Sequence, residues 1–161
     1  MTPKHSLKRS LNVRPHSRTA TISREMTDTP HILDTQQVGF STMLVVRDIA
    51  VSERFYVQHF GFKVTERLDS LRRLERVGVT IYLVLSGAPT VDKPNVTLAP
   101  QPKYQQPAVN LIFRVKDVRT VYAHVVITGL QFLAPPTHPA WGGWRCFMQD
   151  PDGYLIEIEQ P

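Results

Sequence analysis

The chain has 161 residues, a formal net charge of +5, one cysteine and 42% hydrophobic residues. That length suffices for one domain with a full core and excludes a second large one. With Cys146 alone there is no intrachain disulfide or cysteine zinc knuckle, and no apolar run approaches the roughly 20 residues that cross a bilayer, so a cytoplasmic protein without membrane association is expected.

The positive charge is concentrated at one end. Residues 1–24 hold six basic side chains and no acidic one, leaving 13 basic and 14 acidic groups in the other 137 residues. The body of the protein is therefore near neutral, and a nucleic-acid partner, which rests on the leader alone, is the least favoured partner. The Ser/Thr/Arg-rich leader has no apolar period with which to offset its ordering entropy, and disorder is expected over 1–37. Met26 marks the expected start of translation. A nucleic-acid arm and a transit peptide are the less favoured readings of the leader.

From Phe40 to Val46 an apolar, β-branched run reads as a strand. Asp48 then supplies a helix N-cap, because its carboxylate can accept from unpaired N–H groups of the first turn. Ile49, Ser52, Phe55, Tyr56 and Phe60 fall on one helical face, and Gly61 ends the helix. Strands follow over 62–68, 72–77 and 79–85. Five prolines between Ser86 and Pro107 make residues 87–107 a connector. The pattern then repeats. A strand over 109–115 leads to cap Asp117, a stripe of Val118, Val121, Tyr122 and Val125, and the stop Gly129. Asp150-Pro151-Asp152-Gly153 is a hairpin turn between strands over 144–149 and 154–159. In the last strand Tyr154, Ile156 and Ile158 alternate with Leu155, Glu157 and Glu159.

Ser41-Thr-Met-Leu-Val-Val-Arg-Asp48 followed by a helix and Phe60-Gly-Phe62, with Trp141-Gly-Gly-Trp-Arg145 and Asp150-Pro-Asp-Gly-Tyr-Leu-Ile-Glu157, resembles the vicinal oxygen chelate superfamily of glyoxalases, bleomycin-resistance proteins and extradiol dioxygenases. The resemblance spans 38–161. It implies an α+β fold of two sequential βαβββ modules, 38–86 and 108–161, whose eight strands form one cup-shaped mixed sheet with helices on its outer face. Homodimers are common in the family.

In metal-dependent relatives the ligands come from the first and last strand of each module. Ser41 and Asn110 each lie seven residues before a cap Asp, and Tyr82 and Glu157 occupy the last-strand places. Only Glu157 fits the family pattern. One carboxylate with an amide, a serine and a neutral tyrosine makes a poor divalent-metal site, so neither metal nor other cofactor is expected. The histidines do not repair the set: His59 and His124 are helix residues, and His138 reads as a loop residue.

The candidate ligand contacts are Ser41, Tyr82, Asn110, Phe113, Trp141, Trp144 and Glu157, with Glu157 as the catalytic residue if there is chemistry. Phe147 is a further aromatic candidate, but Trp144 and Phe147 have opposite strand parity, so at most one faces the cup. The expected function is metal-free binding of a small aromatic or amphipathic molecule. The alternative is a metal-dependent glyoxalase-type lyase, isomerase or extradiol dioxygenase.

Overall fold

A computed structural model describes residues 39–102 and 107–161. The basic leader and Met26 lie outside the described residues. The first half contains β1 (Thr42–Val45), α1 (Ile49–Phe60), β2 (Lys63–Leu68), β3 (Leu71–Arg76) and β4 (Val79–Val84); the second contains β5 (Asn110–Arg114), α2 (Val118–Ile127), β6 (Trp144–Gln149) and β7 (Leu155–Gln160). The helices start where the sequence places them. The Asp48 carboxylate accepts from the N–H groups of Ala50 and Val51, and that of Asp117 from Arg119 and Thr120. Gly61 closes α1 at φ +66°, where a side chain would be strained. In the second half Thr128 caps α2 in right-handed geometry, and Gly129, the expected stop, follows it.

The strands form two mixed sheets, β1-β4-β3-β2 and β5-β7-β6. The single eight-stranded sheet expected from the sequence is therefore corrected to seven strands in two sheets among the described residues. The missing strand should run beside β6. There the chain makes only two isolated bridges, Phe132 with Met148 and Thr137 with Arg145. The intervening Pro135 and Pro136 offer no N–H to a ladder, so the pairing cannot propagate.

Each first strand pairs in parallel with the last strand of its half, and the two registers match. Met43 lies opposite Tyr82, and Ile112 lies opposite Glu157. Ser41, just before β1, and Asn110, the first residue of β5, each lie two residues before these positions and hold equivalent places in the sequence. The duplication read from the spacing of the two caps is thus also a duplication of strand register.

Alternation gives each sheet a helix side and an open side. Leu44, Leu74, Ile81, Leu83, Cys146, Met148, Ile156 and Ile158 are buried on the helix side with Ile49, Phe55, Tyr56 and Val118. Burying each large aliphatic side chain contributes about 1.5–3 kcal/mol, so this layer is the main stabilising feature of the fold.

The β6–β7 hairpin ties the halves together. The Tyr154 hydroxyl accepts from the Val45 N–H at 3.0 Å and donates to the Val45 carbonyl at 3.1 Å, closing the free edge of β1. Asp152 accepts from the Arg47 N–H at 2.9 Å, from its guanidinium at 3.1 Å and from the Ser52 hydroxyl at 2.8 Å. Asp150 accepts from the Tyr56 hydroxyl at 2.8 Å and from the N–H groups of Asp152 and Tyr154. Two buried carboxylates of one turn are thus held by α1 and its approach, about a hundred residues away.

Candidate functional site

The open side of the second sheet is set by strand parity and turn geometry. The Asp150–Gly153 turn fixes Arg145 opposite Glu159, Phe147 opposite Glu157 and Gln149 opposite Leu155. β5 adds Asn110, Ile112 and Arg114 opposite Leu155, Glu157 and Glu159. Glu157 is the centre of this surface. Its side chain is 7% exposed, with Oε1 3.2 Å from Arg145 Nη1 and Oε2 accepting from Asn110 Nδ2 at 3.2 Å. Removed from water, the carboxylate is matched by one guanidinium and one amide.

Arg145 links this pair to the rim. Its guanidinium carbon lies 5.5 Å from the centre of the Trp141 ring, within cation–π range. A second nitrogen reaches toward the Gly142 carbonyl at 3.4 Å and Glu159 at 4.0 Å. Trp141 is 78% exposed at the end of the proline-rich segment. Beneath that segment and beside Arg145 is an apolar cavity of about 260 Å³, lined by Leu133, Ala134, Pro135, Phe147 and Leu155.

Three residues proposed from sequence therefore assemble here, Asn110, Trp141 and Glu157. Arg145 joins them and was not singled out. Hairpin register could have found it, because Arg145 and Glu157 share parity about a turn whose geometry was legible. Tyr82 lies on the open side of the first sheet, with the Arg73 guanidinium 6.0 Å from its ring and Arg73 paired to Glu75 at 2.6 Å. Ser41 is exposed just before β1.

Phe113 and Trp144 are placed elsewhere. Phe113 contacts Phe60 at 5.0 Å between ring centres and belongs to the helix-side core. Trp144 shares the parity of Cys146 and Met148, and it stacks under Arg119 at 4.1 Å and against His138. Neither faces the Glu157 array, because alternation turns both toward the helix side, Phe113 against Phe60 of α1 and Trp144 against Arg119 of α2. Phe147 takes the open side instead. His59 and His124 also lie on the helix side, beside a cavity of about 450 Å³.

The donor set does not fit a catalytic metal. Arg145 occupies one Glu157 oxygen, so a divalent ion at that carboxylate would sit against a fixed positive charge, and the other residues supply only an amide, a hydroxyl and a phenol. No cluster of three or more His, Cys, Asp or Glu side chains suited to an ion exists among the described residues. Cys146 is buried in the core, and burial pushes its thiol up to about 11.

Comparison with known proteins agrees with this architecture. Residues 38–158 match the family model described as the glyoxalase/bleomycin resistance protein/dioxygenase superfamily. Among solved structures, a glyoxalase-related enzyme from Fulvimarina pelagi is 26% identical, with a TM-score of 0.59 over 78% of this chain and 88% of that one. A lactoylglutathione lyase from Agrobacterium tumefaciens is 15% identical, with a TM-score of 0.62 over 77% and 94%. A bleomycin-binding protein solved with bleomycin is 22% identical, with a TM-score of 0.56 over 78% and 99%. No curated protein resembles the chain closely enough to count as a match.

Proposed function

The chain belongs to the glyoxalase/bleomycin resistance protein/dioxygenase superfamily, and we propose that within it this protein binds a small aromatic or amphipathic molecule on its open sheet face without a metal ion. The observation that supports this reading most directly is the Glu157–Arg145 pair at 3.2 Å. A guanidinium holds the carboxylate that a metal-dependent relative would give to its ion, and Trp141 beside it offers an aromatic wall. Ligand binding in the bleomycin-binding neighbour is in keeping with such a use of the fold.

In this reading Glu157 serves as a hydrogen-bonding and orienting group, Asn110 and Tyr82 supply neutral polar contacts, and Ser41 lies at the margin. A cytoplasmic homodimer belongs to the same proposal.

The test is elemental analysis of purified protein, followed by a thermal-shift ligand screen before and after chelation. The expected result is substoichiometric metal, unchanged melting on chelation, and ligand shifts that Glu157→Gln weakens. Near-stoichiometric zinc, nickel, manganese or iron, with binding or turnover lost on chelation and restored by that ion, favours the metal-dependent lyase or dioxygenase instead.

A further inference from the structure

We infer that the ligand of the open face is uncharged: a planar, mostly apolar molecule whose polar groups are amide, carbonyl or hydroxyl. This rests on the binding reading above and adds the charge class to it. It follows from the charge balance of these faces and from the close ion pairs around Glu157. On the first sheet, pairing puts Lys63 opposite Glu75 and Glu66 opposite Arg73, two cations against two carboxylates. On the second sheet Arg114 and Arg145 both lie opposite Glu159, and Arg145 reaches diagonally to Glu157, again two cations against two carboxylates. Each sheet is balanced by itself.

The close contacts follow the same balance. Arg73 pairs with Glu75 at 2.6 Å, Arg114 with Glu159 at 3.2 Å and Arg145 with Glu157 at 3.2 Å. The most buried of these groups, Glu157 at 7% and Arg145 at 19% side-chain exposure, are also partners of each other. A charged ligand group would have to enter without compensation or pull one partner away and strand the other, and both are costly away from water. A neutral molecule meets neither cost. Its apolar part has the cavity of Leu133, Ala134, Pro135, Phe147 and Leu155, which Arg145 also lines. The Trp141 ring lies 5.5 Å from the guanidinium of that arginine.

Three isosteric probes separate the charge classes: naphthalene-2-carboxamide, 2-naphthoate and 2-naphthamidinium, titrated into the full chain by calorimetry and by NMR of the indole N–H signals. The chain has two tryptophans, and Trp144, stacked on the helix side, serves as an internal control for Trp141. The carboxamide is expected to bind at least ten-fold tighter than either charged probe, moving the Trp141 signal and leaving that of Trp144 in place. Glu157→Gln, which leaves one cation in excess, should favour 2-naphthoate over the amidinium, and Arg145→Gln should reverse that order. Equal or tighter binding of a charged probe to the wild-type chain at Trp141 overturns the inference while leaving the binding site standing. Failure of all three probes to move Trp141 overturns the binding reading, and this inference falls with it.

Discussion

Replacing Arg145 with methionine tests whether Glu157 depends on its guanidinium. The methionine stem keeps much of the packing volume, so the change is chiefly the loss of the 3.2 Å contact to Oε1. Asn110 continues to donate to Oε2 at 3.2 Å. Removing one partner of a fully buried pair costs about 3–5 kcal/mol, and the 19% exposure of Arg145 points to the lower end, about 3 kcal/mol. For a chain of this size that lowers Tm by about 10 °C. Glu157→Gln removes the other charge and strands the Arg145 cation, at a smaller cost because Glu159, Gly142 and Trp141 remain near it. The double variant leaves neither charge exposed to the other's loss. It should be at least 1 kcal/mol more stable than Arg145→Met alone. Urea unfolding followed by circular dichroism at pH 7 gives all four corners of the cycle. An Arg145→Met protein within about 0.5 kcal/mol of wild type, or a double variant no more stable than it, would refute the buried-pair account.

Three further outcomes are expected. Tyr154→Phe strips the N–H and carbonyl of Val45 of their shared partner, and with about 1–3 kcal/mol per unsatisfied buried group a loss of 2 kcal/mol or more should appear in urea unfolding. Asp150 is pushed up to about 6 from 3.8, first by burial and further by the neighbouring Asp152, against the hydrogen bonds it accepts from Tyr56 and from backbone N–H groups. The folded chain therefore holds a proton that the unfolded chain releases between about pH 4 and 6, so this contribution to stability is full at the acid end and is lost as pH rises through 6. NMR of the carboxyl carbon should show that midpoint, and Asp150→Asn should remove that part of the pH dependence of unfolding. Gly143→Ala places a Cβ 2.8 Å from the Gln160 carbonyl at φ +71°, so a loss of about 2 kcal/mol is expected by thermal unfolding, against a smaller loss for Gly142→Ala, whose Cβ meets nothing within 4 Å.

Much of this architecture is legible in the sequence because its signals are local. A carboxylate seven residues after Ser41 and again after Asn110 marks both helix starts, and strict alternation after the Asp150 turn puts Glu157 opposite the core face. Parity was also available for Phe113. It lies three residues from Asn110 in one strand, so the two cannot share a face, and aromatic character alone is a poor guide to a binding wall. The shortfall of one strand was less accessible, since it depends on what two prolines do beside a partner strand. The Asp150 and Asp152 contacts were not accessible at all. The turn motif predicts a hairpin, but its carboxylates are satisfied by Tyr56, Ser52 and Arg47, which only the folded chain brings near.

The proline-bearing segment beside β6 also bears on association between copies of the chain. An open sheet edge presents a row of N–H and carbonyl groups on which a further strand can be templated, the first step of edge-to-edge aggregation. Here β6 spends part of that row on the covering segment: the Phe147 carbonyl accepts from the Leu133 N–H at 2.7 Å, and Arg145 and Thr137 exchange hydrogen bonds at 2.9 and 3.0 Å. The covering segment, with Pro135, Pro136 and Pro139, has few donors of its own to pass on. It ends the sheet where a regular eighth strand would have moved the open edge outward by one, and so keeps the edge beside the Glu157 array from recruiting a stray strand.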